Sequence, residues 1–146
     1  MIGNMSTMQP LPNLSEPDTR PFWLATKDHE LIYPVCNACG SIVFYPRAHC
    51  TKCTSRDLRY ERSAGQGTVY SFTIVRANRQ APFSERIPYV VAWIDLDEGF
   101  RMMSNVVECE PLAVSIGQRV EVDWQDFEEM ALPYFRVVGA PQDAHG

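Results

Sequence analysis

Lysine is almost missing from this chain: only Lys27 and Lys52 stand among 13 basic residues. Nearly all of the positive charge is guanidinium, which suits fixed, bidentate contacts with phosphates and carboxylates better than an ammonium does. For most of the arginines the plain expectation is surface charge paired with nearby acids. Acids are in excess, and a net charge of −5 argues against a general polyanion binder, whose affinity rests on clustered cations. Long apolar runs are lacking too. The longest, such as residues 89–94, is far too short to cross a bilayer, so no membrane partner is expected. Residues 1–12 have neither the basic start nor the continuous apolar stretch of a secretory signal, and the expected location is the cytoplasm. There is no internal repeat and no low-complexity tract.

Catalytic patterns are equally sparse. Gly65-Gln66-Gly67 lacks both the rest of a phosphate-loop fingerprint and a following helix. Cys109 lies between Glu108 and Glu110, acids that raise rather than lower a thiol pKa, so it reads as an ordinary small hydrophobe. Asp95, Asp97 and Glu98 belong to a turn, where such residues serve local hydrogen bonding, and Glu128 and Glu129 read as solvated loop acids. No nucleophile with a base, and no carboxylate pair across a pocket, emerges. The chain is expected to catalyse nothing on its own.

What is present is a metal pattern. Four of the five cysteines, Cys36, Cys39, Cys50 and Cys53, form two identical C-x-x-C pairs separated by ten residues. Each such pair presents two thiolates from a tight knuckle, and two knuckles supply the tetrahedron that zinc requires. Gly40, directly after Cys39, suits the positive φ of a knuckle; the second knuckle has Thr54 there instead. Iron uses the same sulfur set, and zinc is preferred in a chain with no redox partner in view. A dithiol redox motif needs one pair beside a βαβ unit, which is not found. His49 reads as a surface neighbour, because four thiolates already close the site. A closed site has no position for substrate or activated water, so the expected cofactor is a structural zinc.

The organisation expected around this site is mainly β. A flexible tail covers 1–14, a helix plus zinc ribbon 15–62, a five-stranded barrel of the OB type 63–138, and a second flexible tail 139–146. The helix is expected over 15–29, with Ser15 or Asp18 as cap and Pro17 or Pro21 in the first turn. Its Phe22 and Trp23 are candidates for packing on the chain or on a partner. Strands are expected at 31–35 and 40–46, followed by a polar stretch over 54–62. Beyond Gly65 and Gly67, strands are expected at 68–76, 88–96, 101–107, after Gly117, and at 134–138, with a hairpin through Asp97-Glu98-Gly99. In the first of these, Tyr70, Phe72 and Ile74 share one face; in the fourth, Val120, Val122 and Trp124 face inward. An SH3-like barrel or small sandwich fits the same periodicity.

The order Pro21-Phe22-Trp23, Cys36-x-x-Cys39-Gly40, Tyr45-Pro46-Arg47 and Cys50-x-x-Cys53 continues as Gly65-x-Gly67-Thr68-Val69-Tyr70-Ser71-Phe72-Thr73. It goes on to Pro88-Tyr89-Val90-Val91-Ala92, Asp95-Leu96-Asp97-Glu98-Gly99 and Ile116-Gly117-Gln118-Arg119-Val120. This resembles the acyl-CoA-associated OB-fold family with an N-terminal rubredoxin-like zinc ribbon, and the likeness spans residues 21–138. The resemblance implies an accessory subunit beside a thiolase-like enzyme of the lipid-transfer-protein type, or less often beside a MaoC-type hydratase. It also implies that the partner carries the chemistry on a CoA thioester and that this chain helps to form the CoA site. The missing glycine after Cys53 is the departure from the pattern. In that light the loop over 76–88, with Arg76, Arg79, Phe83 and Arg86, is a candidate for CoA or partner contact, against the plainer reading of a solvated loop.

Two other classes compete. Single-stranded nucleic acid is the alternative ligand, with Tyr70, Phe72, Trp93 or Phe135 as a stacking platform, and the acidic charge disfavours it. A stand-alone thioester enzyme using Cys109 or a carboxylate is disfavoured by the lack of a base.

Overall fold

The computed structural model describes residues 11–81 and 83–138. Residues 1–10 and 139–146, most of the two expected tails, lie outside the described residues. Helix α1 is Arg20–Thr26, far shorter than the expected 15–29. Residues before it are held in turns instead: the Asn13 side chain accepts hydrogen bonds from the Ser15 backbone N–H at 2.9 Å and from its hydroxyl at 2.8 Å. Thr19, not Ser15 or Asp18, stands at the N-cap, with Pro21 in the first turn. The helix stops where His29 adopts φ +60 and reverses the chain.

Phe22 and Thr26, four residues apart on one helical face, are the buried positions of α1. The Thr26 hydroxyl donates to the Trp23 carbonyl at 2.6 Å and accepts the Ala131 backbone N–H at 3.1 Å. A single side chain thus ties the helix to a strand more than 100 residues away.

Strands β1, Ile32–Cys36, and β2, Leu58–Arg62, pair antiparallel, with Val35 opposite Arg59. The strand expected over 40–46 contributes only the bridge between Val35 and Ile42. Its place in the sheet is taken by part of the polar stretch 54–62. Four of the five β2 residues are exposed, so the strand lacks the alternation that signals a half-buried face.

The barrel consists of β3, Gln66–Val75, β4, Tyr89–Leu96, β5, Arg101–Val106, β6, Arg119–Asp126, and β7, Ala131–Val137. Its closed order is β3-β4-β5-β7-β6, with a parallel contact between Val106 and Phe135 and antiparallel pairing elsewhere. This is the OB arrangement. Gly67 lies where β3 presses on β4: a Cβ there would stand 2.4 Å from the Asp95 carbonyl oxygen. A bulge between Val69 and Ser71 shifts the β3 register. The bulge separates Tyr70, half exposed, from Phe72 and Ile74, which pack on the core alongside the buried Val69. The simple alternation expected for this strand fails at that extra residue.

One apolar core runs through both parts. Phe22, Leu31, Tyr33 and Val35 belong to the same cluster as Val69, Ile94, Val120 and Phe135 of the barrel. Only Cys36, Val43 and Cys50, with Leu58 against them, form a separate small cluster at the ribbon's tip. The turn acids do more than shape the turn. Asp95 pairs with Arg101 and Asp97 with Arg119, while Glu98 accepts from the Ser63 hydroxyl at 2.6 Å and the Ala64 N–H at 2.8 Å.

Candidate functional site

The two cysteine knuckles close with the same backbone bond and differ in which amide reaches the sulfur. In the first, Gly40 N–H donates to the Cys36 carbonyl at 2.8 Å, and Cys39 N–H points at Cys36 Sγ at 3.4 Å. In the second, Thr54 N–H donates to the Cys50 carbonyl at 3.0 Å, and Lys52 N–H points at Cys50 Sγ at 3.3 Å. Amide hydrogens aimed at sulfur stabilise thiolate charge. All four sulfurs lie within 4.8 Å of one another, with Cys36 to Cys53 at 3.5 Å and Cys39 to Cys50 at 3.7 Å. Four sulfurs about 2.3 Å from a zinc ion in a tetrahedron stand about 3.8 Å apart, so the donor set fits that ion. Cys36 and Cys50 are buried; Cys39 and Cys53 face outward.

The sulfurs also sense one another. Hydrogen bonds from Ser41, side chain first and then backbone, hold the Cys39 thiol down to about 6. At Cys53 the Ser55 backbone N–H favours the thiolate, but the Cys36 sulfur, burial and the other two sulfurs outweigh it and push the thiol up to about 12. Four adjacent thiolates repel in the absence of a cation, and a bound dication removes that cost.

A second candidate region lies on the outer face of the barrel. A cavity of about 610 Å³ has Phe83, Arg86, Tyr89, Asn105, Cys109 and Tyr134 among its lining residues. The structure thus brings two of the four loop candidates together: the Arg86 guanidinium lies over the Phe83 ring at 5.8 Å from its centroid. Arg76 and Arg79 are exposed and do not line the cavity. None of these three arginines forms an ion pair among the described residues, whereas Arg59, Arg62, Arg101, Arg119 and Arg136 do. The loop is anchored where Asn78 Nδ2 donates to the Tyr89 hydroxyl at 3.0 Å. Cys109 is half-buried, and burial, then the Glu110 charge, pushes its thiol up. That is the opposite of an activated nucleophile.

Phe22 and Trp23 differ in burial. Phe22 is spent inside the chain, packed edge-on to Trp23 and Phe44. Trp23 is half-buried, and both it and Phe22 line an apolar groove of about 290 Å³ with Tyr45, Met103 and Leu132. Neither Tyr45 nor Met103 was singled out from the sequence as a site residue, although Tyr45-Pro46 is part of the recognisable pattern. The Tyr45 hydroxyl accepts the Met103 backbone N–H at 2.8 Å. Of the aromatic rings considered for base stacking, Phe135 is fully buried, and Arg101 covers Tyr70 at 3.5 Å from the ring centroid. No helix among the described residues is long and apolar enough to cross a membrane.

A four-cysteine ribbon sharing one core with a five-stranded OB barrel defines a zinc-ribbon OB-fold protein. Residues 23–59 match the ChsH2 rubredoxin-like zinc ribbon domain and residues 60–125 the ChsH2 C-terminal OB-fold domain. The chain belongs to this family, and its relatives include DUF35 domain-containing scaffold proteins. One of these, from Methanocaldococcus jannaschii, is 35% identical over 112 residues, 73% of this chain and 77% of the relative. A probable enoyl-CoA hydratase alpha subunit of Thermomonospora curvata is 36% identical over 117 residues, 79% of this chain. The chain spans 36% of that subunit's length. Among solved structures, a chain of the Ltp2-ChsH2(DUF35) aldolase is 33% identical with a TM-score of 0.77, covering 88% of this chain and 98% of that one.

Proposed function

We propose that this chain is a non-catalytic subunit of an acyl-CoA-processing complex, partnering a thiolase-like enzyme and helping to form its CoA site. The observation that carries the reading is the likeness to the aldolase chain over nearly all of that chain's length. Relatives named as scaffold proteins and as a hydratase subunit support the same kind of role. Cys36, Cys39, Cys50 and Cys53 hold one structural zinc, which fixes the ribbon that carries Phe44, Tyr45 and Pro46. Arg86 and Phe83 contact the cofactor at the cavity, and the unpaired Arg76 and Arg79 lie in the same loop to meet phosphate or an acidic partner surface. The partner's active site supplies the chemistry.

A MaoC-type hydratase is the alternative partner, favoured by the name of the Thermomonospora relative. The test is an add-back assay. The thiolase-like subunit, purified alone, is assayed for carbon-carbon bond formation or cleavage on CoA thioesters with and without this chain. Turnover that rises when the chain is added supports the reading. Unaltered turnover with the thiolase-like subunit, together with stimulation of a hydratase, moves the assignment to the alternative.

A further inference from the structure

Only the first part of β3 closes the barrel. Its pairing with β6 covers Gln66, Gly67 and Thr68. The last contact on that side is Val69, whose N–H donates to the Gln118 carbonyl and whose carbonyl accepts the Gly117 N–H, both at 2.9 Å. From Ser71 to Val75 the strand pairs with β4 alone. Alternation along an antiparallel pair shows which groups the free side presents. Asp97 N–H donates to the Gln66 carbonyl and Leu96 N–H to the Phe100 carbonyl, so the odd-numbered residues of β4 turn their backbone groups to β3 and the even-numbered ones to β5. Thr73 and Val75 stand opposite Val91 and Tyr89 and face them; Phe72 and Ile74 stand opposite Ala92 and Val90 and turn N–H and C=O away from β4. Among the described residues no partner takes up those groups of Phe72 and Ile74.

An open strand edge is normally guarded by lysine, proline, a charge or a covering element. From Gln66 to Val75, β3 contains no charged residue and no proline. Its bulge lies ahead of the free stretch, between Val69 and Ser71. Phe72 and Ile74 pack one side on the core and are otherwise uncovered, and Thr73 is exposed. Nearby, the connection between β5 and β6 carries the two most exposed large apolar side chains of the described residues, Leu112 at 77% and Ile116 at 69%. Ile116 directly precedes Gly117, which is bonded to Val69 where the free edge begins. An edge of this composition is a template for another strand.

We propose that this edge pairs antiparallel with the same edge of a second copy of the chain, joining two barrels through β3. The stretch is self-complementary about Thr73. With a two-fold axis there, Phe72 of each copy stands opposite Ile74 of the other, and because both turn their backbone groups outward, hydrogen bonds close on both sides of the axis. The half-covered Phe72 and Ile74 side chains meet as well. The two Thr73 residues form a non-hydrogen-bonded pair on the axis, where cross-strand side chains come closest. Charge favours this face. Two chains of net charge −5 repel at long range, and this neutral stretch lets them meet with no like-charge pair. Arg76, the first charge beyond the edge, stays outside the central pairing, with its counterpart at the opposite end. The inference goes beyond the accessory-subunit reading and does not depend on it.

The test is the mass of the zinc-loaded full chain in solution, by sedimentation equilibrium over a dilution series. The wild-type chain is expected to be a dimer that dissociates on dilution. Thr73→Lys and Thr73→Glu change an exposed side chain, and each sets like charges face to face across the axis. Each alone is expected to weaken the dimer at least about tenfold. Mixing the two variants restores association through a Lys–Glu pair, which no role of Thr73 within a single chain would do. Hydrogen exchange gives a second readout: the Phe72 and Ile74 amides are slow in the wild-type dimer and fast in either variant alone. A wild-type chain that is monomeric at the highest attainable concentration overturns the inference. So does a dimer that neither variant weakens, or a mixture that fails to associate. A monomeric chain whose Phe72 and Ile74 amides become protected only when a catalytic partner is added assigns the edge to that partner and also overturns it. Failure of the accessory-subunit reading is seen separately, as a chain that dimerises and binds no CoA enzyme.

Discussion

Thr54 occupies, at φ +66, the place in the second knuckle that Gly40 takes at φ +79 in the first. A β-branched residue is held in the left-handed region because the backbone there must turn its N–H to the Cys50 carbonyl. The missing glycine is therefore a local strain within a complete knuckle. Thr54→Gly is expected to stabilise the chain by about 0.5–1 kcal/mol, the relief of strain being partly offset by the greater freedom of glycine when unfolded. Gly40→Ala should cost about 1 kcal/mol. Denaturant midpoints at fixed zinc check both, and an unchanged or lower midpoint for Thr54→Gly would contradict the account.

Thr26→Val keeps the shape of a fully buried side chain and removes its hydroxyl. The Ala131 N–H then loses its partner in a dry site. The expected loss is about 1–3 kcal/mol by chemical denaturation. A neutral result would mean that α1 does not depend on this link to β7.

Loss of metal should be felt beyond the ribbon. Cys36 ends β1, whose Tyr33 and Val35 belong to the core shared with the barrel. The purified chain is expected to carry about one zinc, and Cys36→Ser or Cys53→Ser should lower the melting temperature of the whole chain and not only of its first third. Elemental analysis showing iron or well under half an equivalent of zinc, or unchanged melting of the variants, would contradict this.

The Arg119 guanidinium, first by hydrogen bonding and then by its charge, holds the Asp97 carboxyl below its ordinary value of 3.8. A lowered carboxyl contributes stability above its unfolded pKa and loses it as pH falls through the folded value. Both side chains are nearly half exposed, so solvent screening keeps the contribution under about 1 kcal/mol. Asp97→Asn should thus be slightly less stable than wild type at pH 7, and the gap should close below about pH 4 as the native carboxylate is neutralised. A gap that persists unchanged into acid would show that the loss comes from something other than this charge.

Much of this was readable from residue order alone, and the exceptions have physical causes. The cysteine spacing located the metal cluster because covalent geometry makes C-x-x-C a knuckle in almost any setting. The five barrel strands were visible as β-prone runs between turns, and their number with the tight hairpin between the second and third pointed to an OB-type barrel, while periodicity alone left an SH3-like barrel or small sandwich open. Strand β2 escaped notice because Arg59, Tyr60 and Glu61 face water, and pairing without burial leaves no periodic trace. The phase of β3 was hidden by its bulge, since one extra residue inverts the faces. The apolar groove could not be read from spacing at all. Trp23, Tyr45, Met103 and Tyr134 come from four separate elements, and only the shared core brings them to one side of the sheet.

Arg86 and Arg79 make different predictions once placed. Arg86 lines the cavity, so Arg86→Ala should weaken CoA binding by about 1.5–3 kcal/mol if it donates to phosphate. Arg79 lies outside the lining, and Arg79→Ala should act mainly through a weaker salt dependence of binding or assembly. Calorimetric titration with CoA at two salt concentrations separates them. Unchanged affinity and assembly in both variants would remove this loop from the site.

The proposed role requires, above all, association with a catalytic partner. Size-exclusion chromatography with light scattering, applied to the zinc-loaded chain mixed with a thiolase-like enzyme of the lipid-transfer type, measures that most directly. A single co-eluting species of defined stoichiometry that persists at moderate salt is expected. Separate elution of the two, with the thiolase-like subunit fully active by itself and this chain retained instead by single-stranded DNA or RNA, would contradict it.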